Sequence, residues 1–65
     1  MNIIVNGKPQ QTNAKTIAEL IAQLGYEGDY FAVAQNLRAV QRARYAETPI
    51  HENDEIEILM PMQGG

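Results

Sequence analysis

Hydrophobic and polar positions alternate from the first residue. Met1, Ile3 and Val5 interleave with Asn2, Ile4 and Asn6, and a period of two predicts a β-strand with one face turned inward. Asn6 and Gly7 follow, and both accept positive φ, so the pair predicts a two-residue type I′ hairpin turn. Residues 8–12 then form the returning strand. Pro9 within it has no N–H to give to a ladder, which predicts a position at a sheet edge.

The period next becomes helical. Thr16-Ile17-Ala18-Glu19 has the form of a capping box, in which a hydroxyl and a carboxylate satisfy backbone N–H groups at a helix start. Ile17, Leu20, Ile21 and Leu24 fall at i, i+3, i+4 and i+7, one apolar stripe on a short helix. Gly25 is placed to end it as the left-handed residue after the last turn. In so small a chain the stripe is expected to face the core.

Residues 31–34 read as a third strand. Residues 36–49 carry no clear period, with Val40 and Tyr45 as apolar anchors and a short strand expected near Val40. Glu52-Asn53-Asp54 predicts a turn, and residues 55–60 a final strand with Ile56, Ile58 and Met60 on one face. This order predicts an α+β fold with one helix packed on one face of a small mixed sheet. The other face stays uncovered. Ile4 and Leu59 have the parity of that face, and on neighbouring strands they would form an apolar spot of the kind that marks a docking site. Singly exposed apolar residues are the ordinary alternative. No repeat or linker divides residues 1–65, which read as a single domain whose residues 61–65 form a flexible tail.

Composition narrows the chemistry. A chain of 65 residues hides only about 60% of the surface that its unfolded form exposes, which leaves little room for a buried active-site cleft. It has no cysteine, so disulfides and thiolate metal sites are excluded. That absence fits a reducing compartment. With no basic-flanked leader and no apolar run long enough to span a bilayer, a soluble cytoplasmic protein is expected. The net charge of −3 argues against a general nucleic-acid binder. Acidic residues concentrate late, at Glu47, Glu52, Asp54, Glu55 and Glu57, and residues 46–65 contain no lysine or arginine. A partner receiving the tail is therefore expected to be basic there. Arg38, Arg42 and Arg44 form a basic cluster that reads first as a solvated loop and second as a phosphate-binding patch.

The usual catalytic constellations are missing. The single His51 stands beside the Pro49 turn, where it reads as a solvated loop histidine before it reads as a general base. Glu55 and Glu57 share one strand face, where they read as solubility charges. Gly7, Gly25 and Gly28 are accounted for by turns and caps and do not form a phosphate-cradling loop. No group of converging metal ligands stands out. What remains is the sequence Gln63-Gly64-Gly65. The α-carboxylate of Gly65 would be ionised at neutral pH, and a tail without Cβ atoms at its last two residues could enter an active site too narrow for any bulkier residue. A carboxylate is a poor electrophile, so an enzyme using it must first activate it as an acyl derivative.

The hairpin IIVNGK, the helix TIAELIAQLG, the stretch AVAQN with VQR three residues later, then DEIEI and the closing GG together resemble a ThiS-type sulfur carrier. The resemblance runs nearly the whole chain, and its weight lies in the order of short motifs and the position of the diglycine. The chain departs from the family at Gln41, where proline is frequent, near Tyr45, where tryptophan is frequent, and at Asn53, which replaces a turn glycine. Asparagine tolerates positive φ, so the last change is mild.

The resemblance implies a ubiquitin-like β-grasp fold and a mechanism. A ThiF-like enzyme would adenylate the Gly65 carboxylate with ATP, sulfur from a donor system would replace the adenylate, and the thiocarboxylate would deliver sulfur to a ThiG-like thiazole synthase in thiamine biosynthesis. The chain itself would be no enzyme, would bind no cofactor and would be a monomer when free, with no nucleic acid or membrane as partner. Gly65 is the expected sulfur-bearing residue, Gly64 and Gln63 the residues needed for active-site access, and Ile4, Leu59 and Met62 the docking candidates. Three alternatives stand beside this reading: a MoaD-like carrier for molybdopterin synthesis, a ubiquitin-like protein modifier, and an interaction module whose glycines are a frayed end.

Overall fold

Asn6 and Gly7 take φ values of 50° and 81°, the two left-handed residues that a type I′ turn requires. They join strand β1, Asn2–Val5, to strand β2, Lys8–Gln11, in an antiparallel hairpin closed by Val5 opposite Lys8. The computed structural model describes residues 1–28 and 30–60. Helix α1, Ile17–Leu24, follows, then strands β3, Ala32–Gln35, and β4, Arg38–Val40, a 3-10 helix at Arg42–Glu47, and strand β5, Glu55–Leu59.

The five strands form one sheet in the order β2-β1-β5-β3-β4. β5 therefore lies in the middle. It runs parallel to β1, with Val5 opposite Ile56, and antiparallel to β3, with Val33 opposite Ile58. Pro9 sits in β2 at the sheet edge as its missing N–H requires, and every residue of that strand is exposed.

Helix α1 begins where the capping box predicts. Thr16 is extended, and its hydroxyl accepts from the Glu19 backbone N–H at 3.2 Å. The Glu19 carboxylate reaches one residue further back than the motif predicts, accepting from the Lys15 N–H at 2.8 Å. Gly25 ends the helix at φ 85°. Ile17, Leu20 and Ile21 are buried against Ile3, Val5, Val33, Ile56 and Ile58 from the sheet, with Ala14, Tyr45 and Ile50 completing the core. Burying each such aliphatic side chain contributes about 1.5 to 3 kcal/mol.

The stretch without a clear period contains two elements. Asn36 and Leu37, at φ 52° and 71°, make a second two-residue turn that leads into β4. The 3-10 helix then buries Tyr45, whose ring stacks on Phe31 at a centroid distance of 6.3 Å. Two strand expectations are corrected. Phe31 precedes β3 and is half-buried, and Met60, placed with the core residues Ile56 and Ile58 by parity, is 53% exposed. The reason is the register, whose last rung on β3 pairs Ala32 with Leu59, so that Met60 stands beyond the sheet.

Candidate functional site at the end of strand β5

The chain reaches its last described residues through the centre of the sheet. On one flank Ala32 pairs with Leu59. On the other, β1 turns away at Asn6 before β5 has ended. The Asn6 backbone N–H donates to the Ile56 carbonyl at 2.9 Å, and the Asn6 side-chain oxygen accepts from the Ile58 N–H at 2.8 Å. That oxygen stands where the next backbone carbonyl of a continued parallel ladder would be. One residue thus forms the turn and extends the hold on β5 by one rung. Beyond it Leu59 and Met60 are 58% and 53% exposed.

Leu59, Glu57 and Glu55 share the face that the helix does not cover. Ile4 lies on that face too, on the neighbouring strand, but opposite Glu55. Four residues of strand separate Glu55 from Leu59, about 13 Å, so Ile4 and Leu59 do not make the single apolar spot their parity suggests. Leu59 is instead bordered by Ala32 across the ladder and by Glu57 along its own strand, whereas Ile4 is half-buried opposite Pro9. Met62, Gln63, Gly64 and Gly65 lie outside the described residues.

A polar network ties down the other end of β5. Asp54 is 6% exposed, and its carboxylate accepts from Gln35 Nε2 at 2.8 Å, Asn36 Nδ2 at 2.9 Å and the His51 backbone N–H at 2.8 Å. Burial raises its pKa, but the hydrogen bonds from Asn36, His51 and Gln35, together with the charge of His51, outweigh it and hold the carboxyl below the ordinary Asp value. The sequence offers little warning of this role, because an aspartate after Glu52-Asn53 reads as a solvated turn residue. Asn53 takes φ 69° in that turn.

Beside this network a groove of about 710 Å³ opens between β4 and the 48–51 loop, lined by Arg38, Val40, Arg44, Thr48, Pro49 and His51 among others. Arg44 pairs with Glu47 at 2.8 Å on the surface. His51 is exposed, 4.0 Å from the Asp54 carboxylate. Among the described residues no group of three or more His, Cys, Asp or Glu could hold a metal ion, and no helix is long and apolar enough to cross a membrane. No nucleophile and base are paired among the hydrogen bonds described above.

Comparisons with known proteins bear on the domain's role. The ThiS family model matches residues 3–65. The sulfur carrier protein ThiS of Thermus thermophilus is 31% identical over 61 residues, 94% of this chain and 95% of that protein. A thiazole synthase of Paramagnetospirillum magneticum is 30% identical over the full chain, which spans only 20% of that protein. Among solved structures, the thiamine biosynthesis protein ThiS of Geobacter metallireducens superposes with a TM-score of 0.85 at 30% identity, each chain fully covered. The β-grasp sheet and helix α1 described above are thus shared with that protein, and the chain belongs to the ThiS family.

Proposed function

We propose that this protein is the sulfur carrier of a cytoplasmic thiamine pathway and that Gly65 bears the sulfur. The observation that carries the reading is the match to the Thermus sulfur carrier over nearly the whole of both chains. The structural likeness to a thiamine biosynthesis protein supports the same pathway. The thiazole synthases that contain a stretch similar to this chain support a thiazole synthase as the recipient of the sulfur.

The chemistry follows from the carboxylate. An oxygen of the Gly65 carboxylate attacks the α-phosphorus of ATP in a ThiF-like enzyme and releases pyrophosphate. The acyl adenylate has a good leaving group, so sulfur delivered by the donor system at the hydrosulfide level adds at the carbonyl carbon, gives up its proton and expels AMP. The product is a thiocarboxylate. The domain's own task is to present the end of β5 to both enzymes, with Gly64 and Gly65 lacking the Cβ atoms that would bar a narrow active site and Gln63 leading into it.

Intact mass after incubation with a cognate adenylating enzyme, ATP and a sulfur donor tests the proposal. Exchange of one oxygen for one sulfur, localised to Gly65 by fragmentation, is the expected result. An unchanged mass in the presence of an enzyme active on its own carrier overturns it.

A further inference from the structure

Asn6-Gly7 is the one Asn-Gly pair in the sequence, since Asn2, Asn13, Asn36 and Asn53 precede Ile3, Ala14, Leu37 and Asp54. The pairing matters for chemistry as well as for turn geometry. A backbone nitrogen can attack the side-chain carbonyl carbon of the asparagine before it, and glycine hinders that attack least because it has no side chain beside the nitrogen. Asn6 and Gly7 are both exposed, and nothing lies within 4 Å of the place a Gly7 Cβ would take. Water and base therefore reach the pair freely.

Two features of the fold oppose the reaction. The first is the turn. At φ 50° and 81° the pair keeps the type I′ form, in which ψ of the first residue is about +30°, and this turns the Gly7 nitrogen away from Asn6 Cβ. Ring closure needs the opposite disposition. The second is the carboxamide itself, whose oxygen accepts from the Ile58 N–H at 2.8 Å while the Asn6 backbone N–H donates to the Ile56 carbonyl at 2.9 Å. Both holds belong to β5. The turn can present its nitrogen to the carboxamide only after Asn6 has let go of that strand.

We propose that Asn6 is a site of spontaneous deamidation kept latent by the seated β5, and that its isoaspartyl product removes the hold on Ile58. The Gly7 nitrogen bonds to Asn6 Cγ and loses its proton, ammonia leaves, and a succinimide forms. Water then adds to one of the two imide carbonyls. Cleavage at Cγ gives aspartate, which still offers Ile58 an acceptor. Cleavage at the other carbonyl gives isoaspartate, in which the chain runs through Cβ and Cγ. That product adds one backbone atom to a two-residue turn and leaves the free carboxylate one carbon nearer the chain, short of the Ile58 N–H. The modification thus records time spent with β5 unseated and makes reseating harder.

The full chain incubated in mildly alkaline buffer, with and without an unfolding concentration of guanidinium chloride, tests the proposal by intact mass and fragmentation. Unfolded chain deamidates first at Asn6, and folded chain does so there at least about tenfold more slowly, because opening must precede attack. Ile58→Val loosens the seat of β5 while keeping the backbone donor, and raises the folded rate about threefold with the unfolded rate unchanged. Gly7→Ala slows the reaction in the unfolded chain. The purified isoaspartyl chain, returned to native buffer, shows faster hydrogen exchange at the Ile58 amide. Equal rates at Asn6 in folded and unfolded chain, faster loss at another asparagine in the unfolded chain, an Ile58→Val rate equal to wild type, an unslowed Gly7→Ala chain, or full Ile58 protection in the isoaspartyl chain each overturns the proposal.

Discussion

The Asn6 side-chain oxygen accepts a hydrogen bond from the Ile58 backbone N–H at 2.8 Å, across 52 residues of sequence. Through it the first turn of the protein holds the strand that leads to the candidate sulfur-bearing end. Asn6→Gly keeps the positive φ but deletes the acceptor, and is expected to lower stability by about 1 kcal/mol. The sharper readout is hydrogen exchange. The Ile58 amide should lose protection in Asn6→Gly and keep it in Asn6→Asp, which retains both an acceptor and tolerance of the left-handed region.

Asp54 is expected to couple the stability of the fold to pH. Its folded-state pKa is lowered, so its contribution is present above the unfolded-state value and is lost as pH falls through the folded-state one. Urea midpoints measured from neutral pH down to about pH 3 should therefore decline on the acid side. Asp54→Asn turns an amide toward the donors of Gln35, Asn36 and His51 and is expected to cost about 1 to 3 kcal/mol at neutral pH, with a shallower acid decline than wild type.

Leu59 and Ile4 should respond differently to charge, although parity puts them on one face. Leu59→Lys changes a residue that is 58% exposed. It is expected to leave the urea midpoint within about 0.5 kcal/mol of wild type and to impair adenylation if this end docks on the activating enzyme. Ile4→Lys disturbs a half-buried position and should lower stability itself. Parallel loss of stability and activation in Leu59→Lys would place Leu59 in the packing of the domain.

Deletion of Gly65, or replacement of Gly64 by a bulky residue, is expected to abolish thiocarboxylate formation with an unchanged thermal transition. Mass spectrometry and calorimetry on the same samples check both halves. A large shift of the transition would assign the glycines a structural role.

The helix and the first hairpin were legible because their signals are local. Thr16, Glu19 and Gly25 mark the helix ends by capping chemistry, and Asn6-Gly7 marks a turn by its tolerance of positive φ. The β3–β4 hairpin was hard to read because Leu37 stands where glycine would have announced the turn, leaving Asn36 as the one cue. Relations between distant segments were not legible. The offset between Ile4 and Leu59 depends on a parallel register joining strands some fifty residues apart, and the burial of Asp54 depends on three donors from two other segments. The candidate sulfur site was inferred from carboxylate chemistry and family resemblance, and it lies outside the described residues.

The place of β5 has a consequence for biosynthesis. The sheet's central strand is the last of the described strands to be made, so β2-β1 and β3-β4 remain separate hairpins with open edges until it inserts, and such edges are exposed to proteases and aggregation. Ribosomes that stall before residue 59 release chains that cannot complete the sheet. We expect pulse-chase labelling to show these rapidly degraded. Completion of the sheet is thereby expected to mark a chain as translated at least through Leu59.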